Sequence, residues 1–158
     1  MTSPEERLVE LGLTLPEVVP PVAAYVPTVR TGSLVFTSGQ VPLKDGALAF
    51  TGKVGAEVDP ADAFLLAQQC ALNALAAVKA EIGDLGRVRQ VVKVVGFVAS
   101  APTFTGQPQV VNGASELLVA VFGEAGRHAR SAVGVAVLPL DAPVEVEIVV
   151  EVEVEVDL

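Results

Sequence analysis

The chain has 158 residues, 51% of them apolar and 18% charged, and carries a net charge of −9. That length and apolar share support one globular domain with a sizeable core and exclude a disordered chain. The acidic balance, with no Lys/Arg stripe between aromatics, disfavours nucleic-acid binding, and one His with one Cys are too few ligands for a Cys/His zinc site.

Aromatics are 4% of the chain and Trp is absent, so the core must come from Val, Leu and Ala, and the Val abundance favours strands. Cys70 is the only cysteine, which rules out an internal disulfide and fits a reducing cytosol. It falls inside an alanine-rich helical segment, where packing is its expected role. No basic segment followed by an apolar run marks the N-terminus, and no stretch approaches the ~18 apolar residues of a membrane helix. The expected location is cytoplasmic, with no membrane partner.

In chain order, Ser3-Pro4-Glu5-Glu6 reads as a helix start: Ser3 caps, Pro4 suits the first position and Glu6 closes a capping box. Leu8 and Leu11 give this helix an apolar side, Gly12 ends it, and Pro16, Pro20 and Pro21 keep the following connector irregular. The expected division is an N-terminal helix and Pro-rich connector over 1–23 and a domain over 24–158. Tyr25 to Arg30 is expected to be an edge strand, interrupted by Pro27. Thr31-Gly32 turns the chain into a strand over Leu34–Ser38, with Gly39 directly behind it. Asp45-Gly46 is a hairpin signal that predicts a short return strand, Ala47 to Phe50.

Asp59-Pro60 opens the strongest helix, and Gly83 and Gly86 end it. Leu65, Leu72, Leu75 and Ile82 fall on one stripe, and Phe64, Ala71 and Val78 widen it, so the buried face leans their way. Val88 to Val98 is a long strand interrupted by Gly96, and Pro102 and Pro108 bracket a loop. Val110, Ala114, Leu117, Leu118 and Val121 predict a second amphipathic helix at about 109–122, ended by Gly123. Arg130 then heads an apolar run, Ala132 to Leu138, and a Pro/Asp turn leads to a last strand over 144–156. There Val144, Val146, Ile148, Val150, Val152, Val154 and Val156 face one way. Glu145, Glu147, Glu151, Glu153 and Glu155 face the other, for the most part as a solvated face. The order ββ(β)–α–β–α–β–β predicts an α+β fold, with both helices on a single face of one sheet. The other face of a Val-rich sheet then needs a cover, which implies an oligomer.

Arg130 is the candidate site residue. A guanidinium at the head of an apolar strand must find a partner or reach water, and its planar fork suits a carboxylate. A plain surface arginine at a strand end fits the same residues, and they leave the two readings open.

Tyr25, the run Thr37-Ser38-Gly39-Gln40-Val41-Pro42, Asn112, Ala129-Arg130-Ser131 and Val144-Glu145-Val146-Glu147 occur in the order and approximate spacing of the Rid/YjgF family. Its members are also called reactive intermediate deaminases or endoribonuclease L-PSP proteins, and the chain resembles them over roughly residues 22–152. The resemblance implies a chorismate mutase-like fold of the YjgF type, a mixed sheet with two helices on one face. It also implies a homotrimer with three clefts between subunits, a small carboxylate-bearing ligand, and no metal or organic cofactor. By the same resemblance Arg130 binds the substrate carboxylate and Glu145 orients a water, while Tyr25, Ser38, Gly39 and Asn112 line the cleft.

Read separately, Tyr25 also fits a sheet-edge aromatic, Ser38-Gly39 a strand-ending turn and Asn112 a structural helix residue. The sequence departs from the family pattern at Ala132, at Arg127-His128-Ala129, in the Asn112–Arg130 spacing and in its N-terminal helix, which marks a divergent subgroup. His128 is expected to be a partly exposed loop residue and Arg127 a surface charge. Three activities follow from the resemblance: hydrolytic deamination of small 2-imino or enamino acids, binding of a small carboxylate such as a 2-oxo acid without turnover, and the family's older label, endoribonuclease. The acidic charge and the lack of a His pair disfavour the last.

Overall fold

The computed structural model describes residues 2–18 and 23–155. Helix α1 spans Pro4–Glu10 and begins with the expected capping box, Ser3 accepting from the Glu6 amide and Glu6 from the Ser3 amide. Strands β1 (Thr28–Thr31) and β2 (Leu34–Thr37) form a hairpin. Helix α2 runs over Pro60–Ile82, capped by Asp59 and ended by Gly83 at φ 86°. It is followed by β3 (Val88–Ala99), α3 (Gln107–Phe122), β4 (Ala129–Val135) and β5 (Val144–Val152).

The sheet order is β1-β2-β5-β3-β4, with β3 and β4 parallel and the other pairs antiparallel. This is the expected α+β architecture: a mixed sheet with α2 and α3 against one face. The alternation on β5 sets the burial. Val144, Val146, Ile148, Val150 and Val152 are buried, whereas Glu145, Glu147, Val149 and Glu151 turn to the other face. Thr37 is the one buried polar residue among those described, and its hydroxyl accepts the Ile148 amide at 3.0 Å.

Several boundaries differ from expectation. The first strand begins at Thr28, not Tyr25, because Pro27 has no amide for a ladder. The return strand over 47–50 is a single bridge, Lys44 to Ala47, across a turn with Asp45 and Gly46 both at positive φ. The second helix begins at Gln107, with Pro108 in its first turn, where a missing amide is harmless. The strand expected over 132–138 lies at Ala129–Val135, and a 3-10 turn at Pro139–Asp141 follows. The last strand stops at Val152, which pairs with the first residue of β3, so no partner strand continues beyond it. Val156 lies outside the described residues. Leu65 is 60% exposed, because the buried face of α2 is set by the small side chains of Ala63, Ala67, Ala71 and Ala74.

Alpha-2 is long and apolar enough to cross a membrane, contrary to the expectation that no such segment exists, yet most of it is buried between the sheet and α3. Its burial is that of a core helix. Cys70, fully buried on α2, has its thiol pushed up by desolvation and by the Glu145 charge, and it packs as an inert core residue. Helix α1 joins the same core through Leu8, while Arg7 donates to the Val121 carbonyl at 3.1 Å and Glu5 accepts the Leu85 amide at 2.8 Å.

Two glycines set how closely the helices approach. A Cβ at Gly113 on α3 would collide with the Phe64 carbonyl oxygen of α2, and one at Gly96 on β3 with the Val111 side chain of α3. Backbone cannot yield as a side-chain tip can. Gly113→Ala is therefore expected to destabilise the fold by about 1–3 kcal/mol or more through overpacking. A urea midpoint unchanged from wild type would contradict this helix contact.

Candidate functional site

The hairpin edge of the sheet borders a cleft of about 670 Å³, whose lining includes Tyr25, Pro27, Ser38, Gly39, Val41 and Asn73. Three of the predicted residues thus meet there. Tyr25 is 60% exposed and lines the cleft from the segment before β1. The Ser38 hydroxyl donates to the Val26 carbonyl at 2.5 Å and its amide to the Pro27 carbonyl at 2.8 Å, which ties the end of β2 to the segment before β1. Asn73 closes the α2 side by donating to the Val41 and Leu43 carbonyls at 3.1 and 2.9 Å.

Glu145 belongs to this group. Gln40 and Val146 exchange backbone hydrogen bonds of 2.8 and 2.9 Å, which lays Gly39 alongside the start of β5. A Cβ on Gly39 would collide with the Glu145 Oε1. With no side chain at Gly39, the Glu145 carboxylate packs directly against its backbone.

Arg130 and Asn112 lie elsewhere. Arg130 pairs with Val94 in the sheet, and Val94 with Ile148, so its side chain emerges on the helix face. There Nη1 donates to Asn112 Oδ1 at 2.8 Å and to Ser115 Oγ at 3.2 Å. Both acceptors are neutral. None of the ion pairs among the described residues involves Arg130. A partly buried guanidinium with neutral partners retains its charge and most of its donors for an anion. This favours the carboxylate-binding reading over that of a surface arginine.

Ser115 is the residue that the sequence reading missed. Its signal was the spacing: it stands three residues after Asn112, so both project from one face of α3. Ser115 also meets His128 Nε2 at 2.9 Å, and His128 Nδ1 meets the Gly126 carbonyl at 2.6 Å. His128 is thus partly buried and tethered on both ring nitrogens. Burial holds its pKa below the ordinary value, the Arg130 charge adds to that, and the Gly126 carbonyl opposes it.

Within a single chain the predicted residues therefore fall into two separate places. Glu145 sits on β5 and Arg130 on β4, two strand spacings apart across the sheet and, since Arg130 is level with Ile148, three residues apart along it, roughly 14 Å in all. Alternation also turns them to opposite faces. The predicted residues lie in two groups, Tyr25–Ser38–Gly39–Glu145 and Asn112–Arg130. Among the described residues no cluster of three or more His, Cys, Asp or Glu could hold a metal ion.

Comparison with known proteins identifies the family and fold of the chain. The family described as "YjgF/chorismate_mutase-like, putative endoribonuclease" matches residues 5–152. The chain is 46% identical over 139 residues to Protein TCP17 of Trypanosoma cruzi, covering 87% of each. It is similar to the crystal structure of Atu1372 from Agrobacterium tumefaciens, a protein of unknown function, with 51% identity, 95% of this chain and 93% of that one covered, and a TM-score of 0.89. A structure from Shewanella oneidensis, titled as a putative endoribonuclease, superimposes with a TM-score of 0.92 at 36% identity, covering 95% of this chain and 99% of that one.

Burial raises the Glu145 pKa, and the neighbouring Glu147 charge raises it further. The folded chain then binds this proton more tightly than the unfolded chain does. The stability linked to the protonated form is complete below the ordinary value of 4.5 and is lost as pH rises through the folded value. Glu145→Gln should accordingly raise the melting temperature at pH 7, by no more than a few degrees, and leave it unchanged in acid. A lower melting temperature at pH 7 would show the carboxylate to be a stabilising group.

Proposed function

The chain belongs to the YjgF/chorismate mutase-like family, and on that premise we propose that it hydrolyses small 2-imino acids in clefts formed between copies of itself. The observation that carries this reading is the Arg130 guanidinium, held by Asn112 and Ser115 without a counter-charge. With Nη1 engaged, Nε and Nη2 form a planar two-pronged edge that fits a carboxylate. Holding that carboxylate fixes the position of the adjacent C=N carbon.

The second half-site supplies the chemistry. Glu145 is a partly buried carboxylate with a raised pKa, packed against Gly39 at the cleft. Such a base takes a proton from a bound water as the water oxygen attacks the C=N carbon. The proton passes to the nitrogen to give a carbinolamine; its hydroxyl then yields its own proton to the nitrogen by way of Glu145, the C–N bond breaks as the C=O bond forms, and ammonia leaves. The carbon retains the oxygen as a 2-oxo acid.

The uncovered sheet face supports assembly. Val29 is 57%, Phe36 42% and Val133 44% exposed on that face, beside Val95, Phe97 and Val149. A homotrimer, with these faces turned inward, buries them and brings the Arg130 edge of one copy to the Tyr25–Gly39–Glu145 cleft of the next. A second reading, carboxylate binding without turnover, draws on the same Arg130 cluster, which is built without Glu145.

Light scattering at micromolar concentration should give a trimer, and a stable monomer would defeat the proposal. In calorimetry with a small 2-oxo acid, Arg130→Ala should weaken binding by about 2–5 kcal/mol. Arg130→Lys should not restore it, because an ammonium lacks the planar fork. Glu145→Gln should retain binding and lose hydrolysis of an enzymatically generated 2-imino acid. Binding without turnover in the wild type would decide for the second reading.

A further inference from the structure

His128, Ser115 and Arg130 form a chain in which every proton can be placed. The Gly126 carbonyl only accepts, so His128 Nδ1, 2.6 Å away, carries the hydrogen. In a neutral ring Nε2 is then an acceptor, and its partner at 2.9 Å is the Ser115 hydroxyl. A hydroxyl has one hydrogen. Once that hydrogen points at His128, a Ser115 lone pair faces Arg130 Nη1 at 3.2 Å, while Asn112 Oδ1 accepts the other Nη1 hydrogen at 2.8 Å.

We infer that His128 is a positioning residue of the carboxylate site: as the neutral Nδ1–H tautomer it orients the Ser115 hydroxyl, which holds Arg130 Nη1 and leaves Nε and Nη2 aimed at the ligand. The inference rests on Arg130 being the carboxylate clamp. It accounts for the departure at Arg127-His128-Ala129, since this histidine is tied into the site by both nitrogens.

Protonation breaks the arrangement. An Nε2–H and an Arg130 N–H then converge on one serine oxygen, the serine hydrogen loses its acceptor, and two cations face each other across it. The groups around the ring are Ser115 from α3, the Gly126 carbonyl from the 3-10 turn and Arg130 from β4, which is the charge that bears on its titration. Gln90 of β3 binds the Arg127 carbonyl next to it and is neutral. Desolvation and the Arg130 charge both disfavour the protonated ring, and the Gly126 carbonyl opposes them.

His128 is the only histidine in the chain, so its ring nitrogens can be followed without assignment ambiguity. Nitrogen-15 NMR of the full chain at pH 7.5 should show the Nδ1–H tautomer, which is the minor form in water. The affinity for a 2-oxo acid should fall about tenfold as pH drops through the His128 titration, the loss expected for a weakened hydrogen bond to a charged group. His128→Gln offers a carboxamide oxygen to Ser115 and should retain most of the affinity without this pH dependence. Comparing the two at each pH removes the contribution of Glu145, which titrates in both. His128→Ala should bind weakly at every pH.

An Nε2–H tautomer, or a His128→Ala protein with wild-type affinity and pH profile, would overturn the inference. If the wild type binds no 2-oxo acid, the carboxylate reading fails on its own, and the Arg130 guanidinium resonances still decide the role of His128. Slow guanidinium rotation in the wild type that becomes fast in His128→Ala supports it, and equal rotation in both contradicts it.

Discussion

A guanidinium kept partly buried by neutral acceptors is the interaction on which the functional reading of this protein depends. Burying a charge away from water is costly unless it is paired. Arg130 avoids most of that cost by sitting on the edge strand, where Asn112 and Ser115 of α3 satisfy one nitrogen and the rest of the fork stays open. The fold supports this placement at several points. The parallel pairing of β3 and β4 sets Arg130 opposite Val94 and hence toward α3. Gly96 lets α3 approach the sheet, and Gly113 lets α2 approach α3. An arginine placed by rigid, close-packed elements can hold a carboxylate with little reorganisation.

The same sheet that places Arg130 separates it from Glu145. Strand alternation and the β5-β3-β4 order put the two groups on different faces and different strands. One chain therefore cannot bring a carboxylate held by Arg130 to a water held by Glu145. The exposed Val29, Phe36 and Val133 make a face that needs a cover, and a neighbouring copy would supply both that cover and the missing half of the site. Stability and activity would then share one interface.

Much of this was legible in the sequence because the signals were local and strong. Asp59-Pro60 marks the first residue of α2, Gly83 and Gly86 mark its end, of which Gly83 is the cap, and the Val/Glu alternation assigns the faces of β5. Asp45-Gly46 gave the turn but not a return strand, since turn chemistry is local and a strand needs a partner. A stripe of large residues puts Leu65 at its margin, and the buried face lies on the Ala71 and Val78 side, where alanines allow the closer approach to α3 and the sheet. The site residues emerged from their order along the chain, yet their division into two groups depends on strand order, which no local pattern encodes. Ser115 and His128 were hidden for a similar reason: their roles rest on a contact between a helix and the turn before β4.

The most direct test of a site shared between copies is complementation between two inactive variants. Arg130→Ala and Glu145→Gln protomers, unfolded together in equal amounts and refolded, would assemble at random. In a cyclic trimer every mixed assembly has one junction where an intact Arg130 faces an intact Glu145, so about a quarter of all sites are restored. Recovery of about a quarter of wild-type imine hydrolysis from two proteins that are inactive alone is the predicted result. No recovery from trimers shown to contain both variants would contradict a cleft built from two copies.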